Sequence, residues 1–217
     1  MTAQSPPWPP PIMTMDFILA SNAGEFRSKL TQKSQGLIRA GARFEFAVEF
    51  HLLEESRMKD WLGFMAKVQD ENLTFYWSLY PLGMPANYPT SVAAAGTPLV
   101  NGASQTGRSL ITDGWTAAAV LKRGDALAFD NDWYRELHLV TADATADGSG
   151  NMTIPISPAI HRSPANNAAV LIDGHTATAS ARCACEVSFA DYRQTGWSLR
   201  TFQATRALKL VEALREP

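Results

Sequence analysis

Hydrophobic and polar residues alternate most cleanly in ARFEFAVEF, residues 42–50. Phe44, Phe46, Val48 and Phe50 fall on one side, and Arg43, Glu45, Ala47 and Glu49 on the other. Successive strand residues point to opposite faces, so this pattern predicts a half-buried antiparallel strand. The stretch before it, 26–40, carries Arg27, Lys29, Lys33 and Arg39 and reads as a polar strand or a long loop. After the strand the period changes. Met58, Trp61, Leu62, Met65 and Val68 recur at helical spacing, and Glu54, Glu55 and Asp60 lie early, where the helix dipole favours negative charge. The spacing predicts an amphipathic helix over 55–69, weakened slightly by Gly63. LTFYWSLY, 73–80, follows as an aromatic strand, and Pro81, Gly83, Pro85 and Pro89 close that block in a loop.

From about residue 90 the texture turns to Gly, Ala, Ser and Thr. TPLVNGASQTGRSLITDGW, 97–115, reads as a strand, a turn at Asn101-Gly102 and a second strand. Two or three further strands are joined by Arg123-Gly124-Asp125 and by Asp130-Asn131-Asp132, and AAVLID, 168–173, ends at the turn Asp173-Gly174. Short, regularly spaced strands with polar Gly turns predict an all-β sandwich or barrel. In the tail, 197–214 fits one long strand with Phe202, Ala204, Arg206, Leu208, Leu210 and Glu212 on one face, although ATRALKLVEAL also has high helix propensity.

Composition narrows the classes. The 217 residues are 46% hydrophobic and 18% charged, enough apolar material for a core in one large or two small domains. A net charge of −2 and scattered Lys and Arg lack the clustered basic footprint of a nucleic-acid binder. Cys183 and Cys185 have no second pair to complete a zinc site and read as small apolar strand residues; so few cysteines suit a reducing cytoplasm. MTAQSPPWPPPIM lacks a basic start and an apolar run, so no signal peptide is expected, and no segment approaches the ~20 apolar residues of a membrane span. Residues 1–13 instead form a proline-rich arm, either a loose leader or an arm that docks on a neighbouring subunit, and in both cases expected to lie outside the subunit's own fold. Trp8 at its centre is a candidate oligomer-interface anchor.

Candidate chemistry is sparse. Asp143, Thr145, Asp147, Gly148, Ser149 and Asn151 mimic a calcium loop, but Ile154 stands where the closing acid belongs. The stretch therefore reads as a hairpin connection, with Asp147-Gly148 and Gly150 supplying positive φ. Arg123-Gly124-Asp125 spells an adhesion tripeptide but also an ordinary turn. His51, His138, His161 and His175 form no catalytic spacing, and no nucleophile elbow or phosphate loop is present. Asp130, Asp132 and Glu136 are the one carboxylate group close enough to suggest hydrolysis, and they read better as turn residues. No catalytic residue, metal ligand or cofactor is expected.

The order of these pieces resembles the distal tail proteins of long-tailed bacteriophages, prophages and phage-derived gene transfer agents. FRSKLTQKSQGLIRAGARFEF, RMKDWLGFMAKVQ, GTPLVNGASQTGRSLITDGW, VLKRGDALAF and LHLVTADATADGSGNMTIPISPAI carry the resemblance, which ends in LVEAL and covers about residues 25–214. It implies a mainly β fold: a tail-tube-like β-sandwich or barrel with one flanking α-helix, formed by 14–89 and 183–217, and an inserted all-β domain at 90–182. It implies a structural, non-enzymatic homo-hexamer ring at the virion tail tip, assembled in the host bacterial cytoplasm. The ring would join the tail tube protein to the hub, baseplate and fibre proteins that face the host, with DNA passing only as cargo through the lumen. The proline-rich arm has no counterpart in that pattern. A carbohydrate- or receptor-binding module is the alternative, with Trp115, Trp133 and Tyr134 as ligand-stacking candidates.

Overall fold

The computed structural model describes residues 3–7, 12–21, 23–38, 41–50, 55–79, 95–173, 182–190, 197–198, 203–204 and 208–214. The chain runs β1 (Ile12–Ala20), β2 (Ala23–Arg27), β3 (Ser34–Ile38), β4 (Arg43–Phe50), α1 (Glu55–Asp70) and β5 (Phe75–Trp77). It continues through β6 (Gly96–Val100), β7 (Gly107–Trp115), β8 (Val120–Leu121), β9 (Ala126–Asp130), β10 (Arg135–Val140), β11 (Ala144–Thr145), β12 (Met152–Ile160) and β13 (Val170–Leu171). It ends with β14 (Cys185–Phe189), β15 (Trp197–Ser198), β16 (Gln203–Ala204) and β17 (Leu208–Glu212). The fold is mainly β, with one helix among the described residues.

The alternating strand predicted at 42–50 is β4, and it lies inside a five-stranded sheet ordered β1-β4-β17-β14-β5. Phe46 sits opposite Phe17 of β1 on one side and Leu210 of β17 on the other. Phe44, Phe46 and Val48 are buried, and α1 covers them with Met58, Trp61, Met65 and Val68, the same residues whose helical spacing predicts α1. Cys183 and Cys185 belong to this core as free thiols, and burial pushes both of their pKa values well up.

Residues 96–171 make a second, six-stranded sheet ordered β13-β9-β10-β12-β7-β6. Its two edges meet at a bridge between Leu99 and Ala169, with Val100 N–H donating to Ala168 O and Asn167 N–H to Val100 O at 2.8 Å each. The sheet is thus a nearly closed barrel. Leu110, Leu127, Phe129, Ile154, Ile156 and Val170 fill its interior.

The two sheets share a wall. Ala126, Leu127, Ala128 and Phe129 of β9 are all buried. Leu127 and Phe129 point into the barrel, whereas Ala126 and Ala128, with Leu137 of β10, belong to the core of the five-stranded sheet. Small side chains on that side let a second layer pack closely on the barrel wall.

Two expectations are corrected. The arm does not lie wholly outside the subunit's fold: Gln4 bridges to Phe75 in parallel, with Gln4 N–H donating to Thr74 O and Tyr76 N–H to Gln4 O at 2.8 and 3.1 Å. Ala3 and Pro6 are buried beside it. The two prolines that follow Gln4 with one residue between leave its own donor intact, so the arm can add to an edge, where proline is tolerated. Nor is 197–214 one strand. Trp197 pairs with Ala204 and Ser198 with Gln203 as a separate antiparallel pair, and among the described residues of this stretch it is Leu208–Glu212 that enters the main sheet. The polar stretch 26–40 resolves into the hairpin of β2 and β3, which pair with each other as a sheet of their own.

Candidate functional site

Three buried polar side chains, Arg135, Glu136 and His138, lie along β10, because its alternate residues enter two different interiors. Arg135, Leu137 and Leu139 face the five-stranded sheet; Glu136, His138 and Val140 face the barrel. Arg135 is almost fully buried. Its Nε and Nη2 donate to Asp130 Oδ1 and Oδ2 at 2.8 and 2.9 Å, its Nη1 donates to Arg182 O at 2.9 Å, and its guanidinium lies 4.6 Å from the Tyr76 ring centre. A planar five-donor head suits such a fixed strut between layers better than a lysine would.

On the other face, Glu136 is saturated. Its Oε1 accepts from Asn131 Nδ2 at 2.9 Å and Arg162 N–H at 2.8 Å, and its Oε2 from His161 N–H at 3.0 Å. His138 Nε2 stands 3.3 Å from Oε2, at ion-pair distance but not aligned as a hydrogen bond. Burial acts to raise this carboxyl, but His138 and the two backbone amides outweigh it and hold the pKa below the ordinary value. His138 stacks on Phe129 and donates Nδ1–H to Pro158 O at 3.0 Å. Tyr134 meets His161 Nδ1 through its hydroxyl.

Glu212, at the end of β17, ties the sheets together. Its Oε2 accepts from Phe44 N–H of β4 at 2.9 Å and its Oε1 from Leu137 N–H of β10 at 3.3 Å. Burial, countered only in part by those amides, pushes its pKa up to about 7.

These contacts place the sequence candidates. Asp130 is held by Arg135, Asp132 lies 3.6 Å from the Arg162 guanidinium, and Glu136 is enclosed, so the three acids act as pins rather than as a facing pair. His138 and His161 come together around Glu136; His51 and His175 lie outside the described residues. The calcium-like loop is a turn. Asp143 accepts from Arg123 N–H at 2.9 Å and Lys122 Nζ at 2.6 Å, and Asp147 Oδ1 accepts from the N–H groups of Ser149 and Asn151. Gly150 there has φ +80°, whereas Gly148, expected to share that role, does not have positive φ. Asp125 of the adhesion-like tripeptide is buried and caps Lys122 N–H at 2.7 Å.

Of the stacking candidates, Trp115 is buried and donates through Nε1 to Thr112 Oγ1, and Tyr134 is buried against His161. Trp133 is half-buried, with the Arg162 guanidinium 3.2 Å from its ring centre. Trp8 lies outside the described residues.

The exposed apolar surface is elsewhere. Phe26 and Leu30, on the β2–β3 hairpin, are 71% and 95% exposed, and Ile18 of β1 is 60% exposed. Ile18 borders a groove of about 270 Å³ on the five-stranded sheet, lined also by Asp16, Glu45, Ala47, Lys209 and Val211. Sequence reasoning missed this surface, although Phe26 and Leu30 amid Arg27, Lys29 and Lys33 were a readable signal. Comparison with protein-family models gives no match, and comparison with characterised proteins gives none.

Proposed function

We propose that this chain is a structural ring subunit of a phage tail tip, joining the tail tube to the hub and host-recognition fibres. The sequence resemblance supplies the assignment. The observation that carries it in three dimensions is how the chain spends its polar and apolar groups. Buried Glu136, Glu212 and Arg135 are matched to backbone groups and to neighbouring side chains, which builds rigidity rather than a reactive centre. Its largest exposed apolar residues stand on a hairpin and on the neighbouring sheet, as a self-assembling subunit requires. The five-stranded sheet and α1 serve as the ring body, and the barrel as the insertion, packed on that body through β9 and β10. The ring is a hexamer.

The binding-module alternative has less support, since only Trp133 among its described candidates keeps a partly exposed ring. Native mass spectrometry at micromolar concentration tests the proposal. Six-fold assemblies are the expected result. A chain that remains monomeric even with its tube and hub neighbours present overturns it.

A further inference from the structure

The β2–β3 hairpin is out of balance with its surroundings. Its described side chains from Gly24 to Gly36 are exposed apart from Ser28, which is half-buried. It is held by pairing between its own two strands, from Ala23–Ile38 to Arg27–Ser34. A two-stranded ribbon standing alone is marginal in water, and this one also exposes a phenylalanine and a leucine. Its charge is lopsided, with Arg27, Lys29 and Lys33 against Glu25.

The groove on the five-stranded sheet offers the opposite features. Its apolar floor comes from Ile18, Ala47 and Val211, since Phe17 and Phe46 turn to the opposite, α1-covered face, and Asp16 and Glu45 outnumber Lys209 at its rim. An apolar cavity of about 150 Å³ holds a benzene ring, so about 270 Å³ has room for a phenylalanine side chain. Among the described residues, no hairpin residue lines the groove within the subunit.

We infer that the β2–β3 hairpin of one copy seats Phe26 and Leu30 in the groove beside Ile18 of the next copy. Hairpin and groove are different patches, so the contact is head-to-tail, the kind that closes into a ring. The basic hairpin and the acid-rich rim steer the approach, and the buried ring supplies the adhesion. This rests on the ring-subunit reading and names the surfaces that build it.

The test combines assembly with position. Native mass spectrometry and sedimentation compare the wild type with Phe26→Ser/Leu30→Ser and with Ile18→Glu. A benzophenone-bearing residue at position 26 then reports its neighbours by photocrosslinking. Assembly about thirtyfold weaker in both variants, with unchanged thermal melts and crosslinks mapping to 16–18, 45–47 or 209–211, is the expected result. If the wild type forms rings but the variants match it, or the crosslinks map elsewhere, this contact is wrong and the ring reading stands. If the wild type forms no oligomer even with its tube and hub neighbours present and gives no intersubunit crosslink, both fall. A crosslink only to a different tail protein also overturns the contact, since it assigns the hairpin another occupant.

Discussion

Two residues show how far single positions control this fold. Glu212 is buried where it must accept from Phe44 and Leu137, and its pKa rises to about 7. A carboxyl raised in the folded state favours folding at low pH, and that benefit is lost as pH climbs from about 4.5 through about 7. The full span is worth about 3 kcal/mol. Glu136 runs the other way: its lowered pKa stabilises the fold above the ordinary carboxylate range and is lost as pH falls below it. Melting temperature should therefore fall between about pH 5 and pH 8, and Glu212→Gln should flatten that slope; a variant with the wild-type slope would show that another group titrates. Gly150 is the second case. Its φ is +80° and an added Cβ would lie 2.4 Å from Trp115 O, whereas at Gly148 the space is open. Gly150→Ala should cost roughly 2 kcal/mol or more and Gly148→Ala little, measured by urea denaturation. The sequence made the turn legible but not which glycine bears the strain, because that depends on Trp115, far away in the chain. Period-two spacing likewise put Glu212 on one face with Leu208 and Leu210, while its two amide partners belong to strands it meets only in the folded molecule.

Elements were legible where a period was long and clean. Phe44, Phe46 and Val48 gave β4, and Met58, Trp61, Met65 and Val68 gave α1, since one buried face leaves a regular imprint on sequence. The turns at Asn101-Gly102, Gly124 and Gly150 were legible from turn chemistry. Short elements left no imprint. The strand of the arm is a single bridge at Gln4, and prolines around it argued for detachment. Removing residues 1–7 should accordingly lower the melting temperature of the subunit by several degrees, because two backbone hydrogen bonds and the burial of Ala3 and Pro6 are worth roughly 1–3 kcal/mol together. An unchanged melt would mean that the β5 edge needs no cover. The same edge logic explains Lys67, whose Nζ reaches Gln4 Oε1 at 3.3 Å from the end of α1.

At the scale of the whole molecule, the wall of β9 and β10 belongs to two cores at once. The barrel taken alone, residues 95–173, would expose Ala126, Ala128 and Leu137 and leave Arg135 without Arg182 and Tyr76. The intact chain should therefore unfold in one calorimetric transition, and the excised barrel should not fold; two separated peaks would show independent units. That seam was illegible, since two alanines in β9 say nothing of what lies behind them. The sheet order carries one more consequence. β17, the last described strand, is its central strand, and it alone joins the β1–β4 half to the β14–β5 half. A chain emerging from the ribosome as far as residue 190 holds two half-sheets with open edges, a state prone to wrong pairings. Lys209, Leu210 and Val211 also line the groove, so the surface that would receive a neighbour does not exist until that strand has been made and seated. Under the contact inferred above, translation order would impose an order on assembly: a nascent subunit could not receive a neighbour in its groove before β17 is in place.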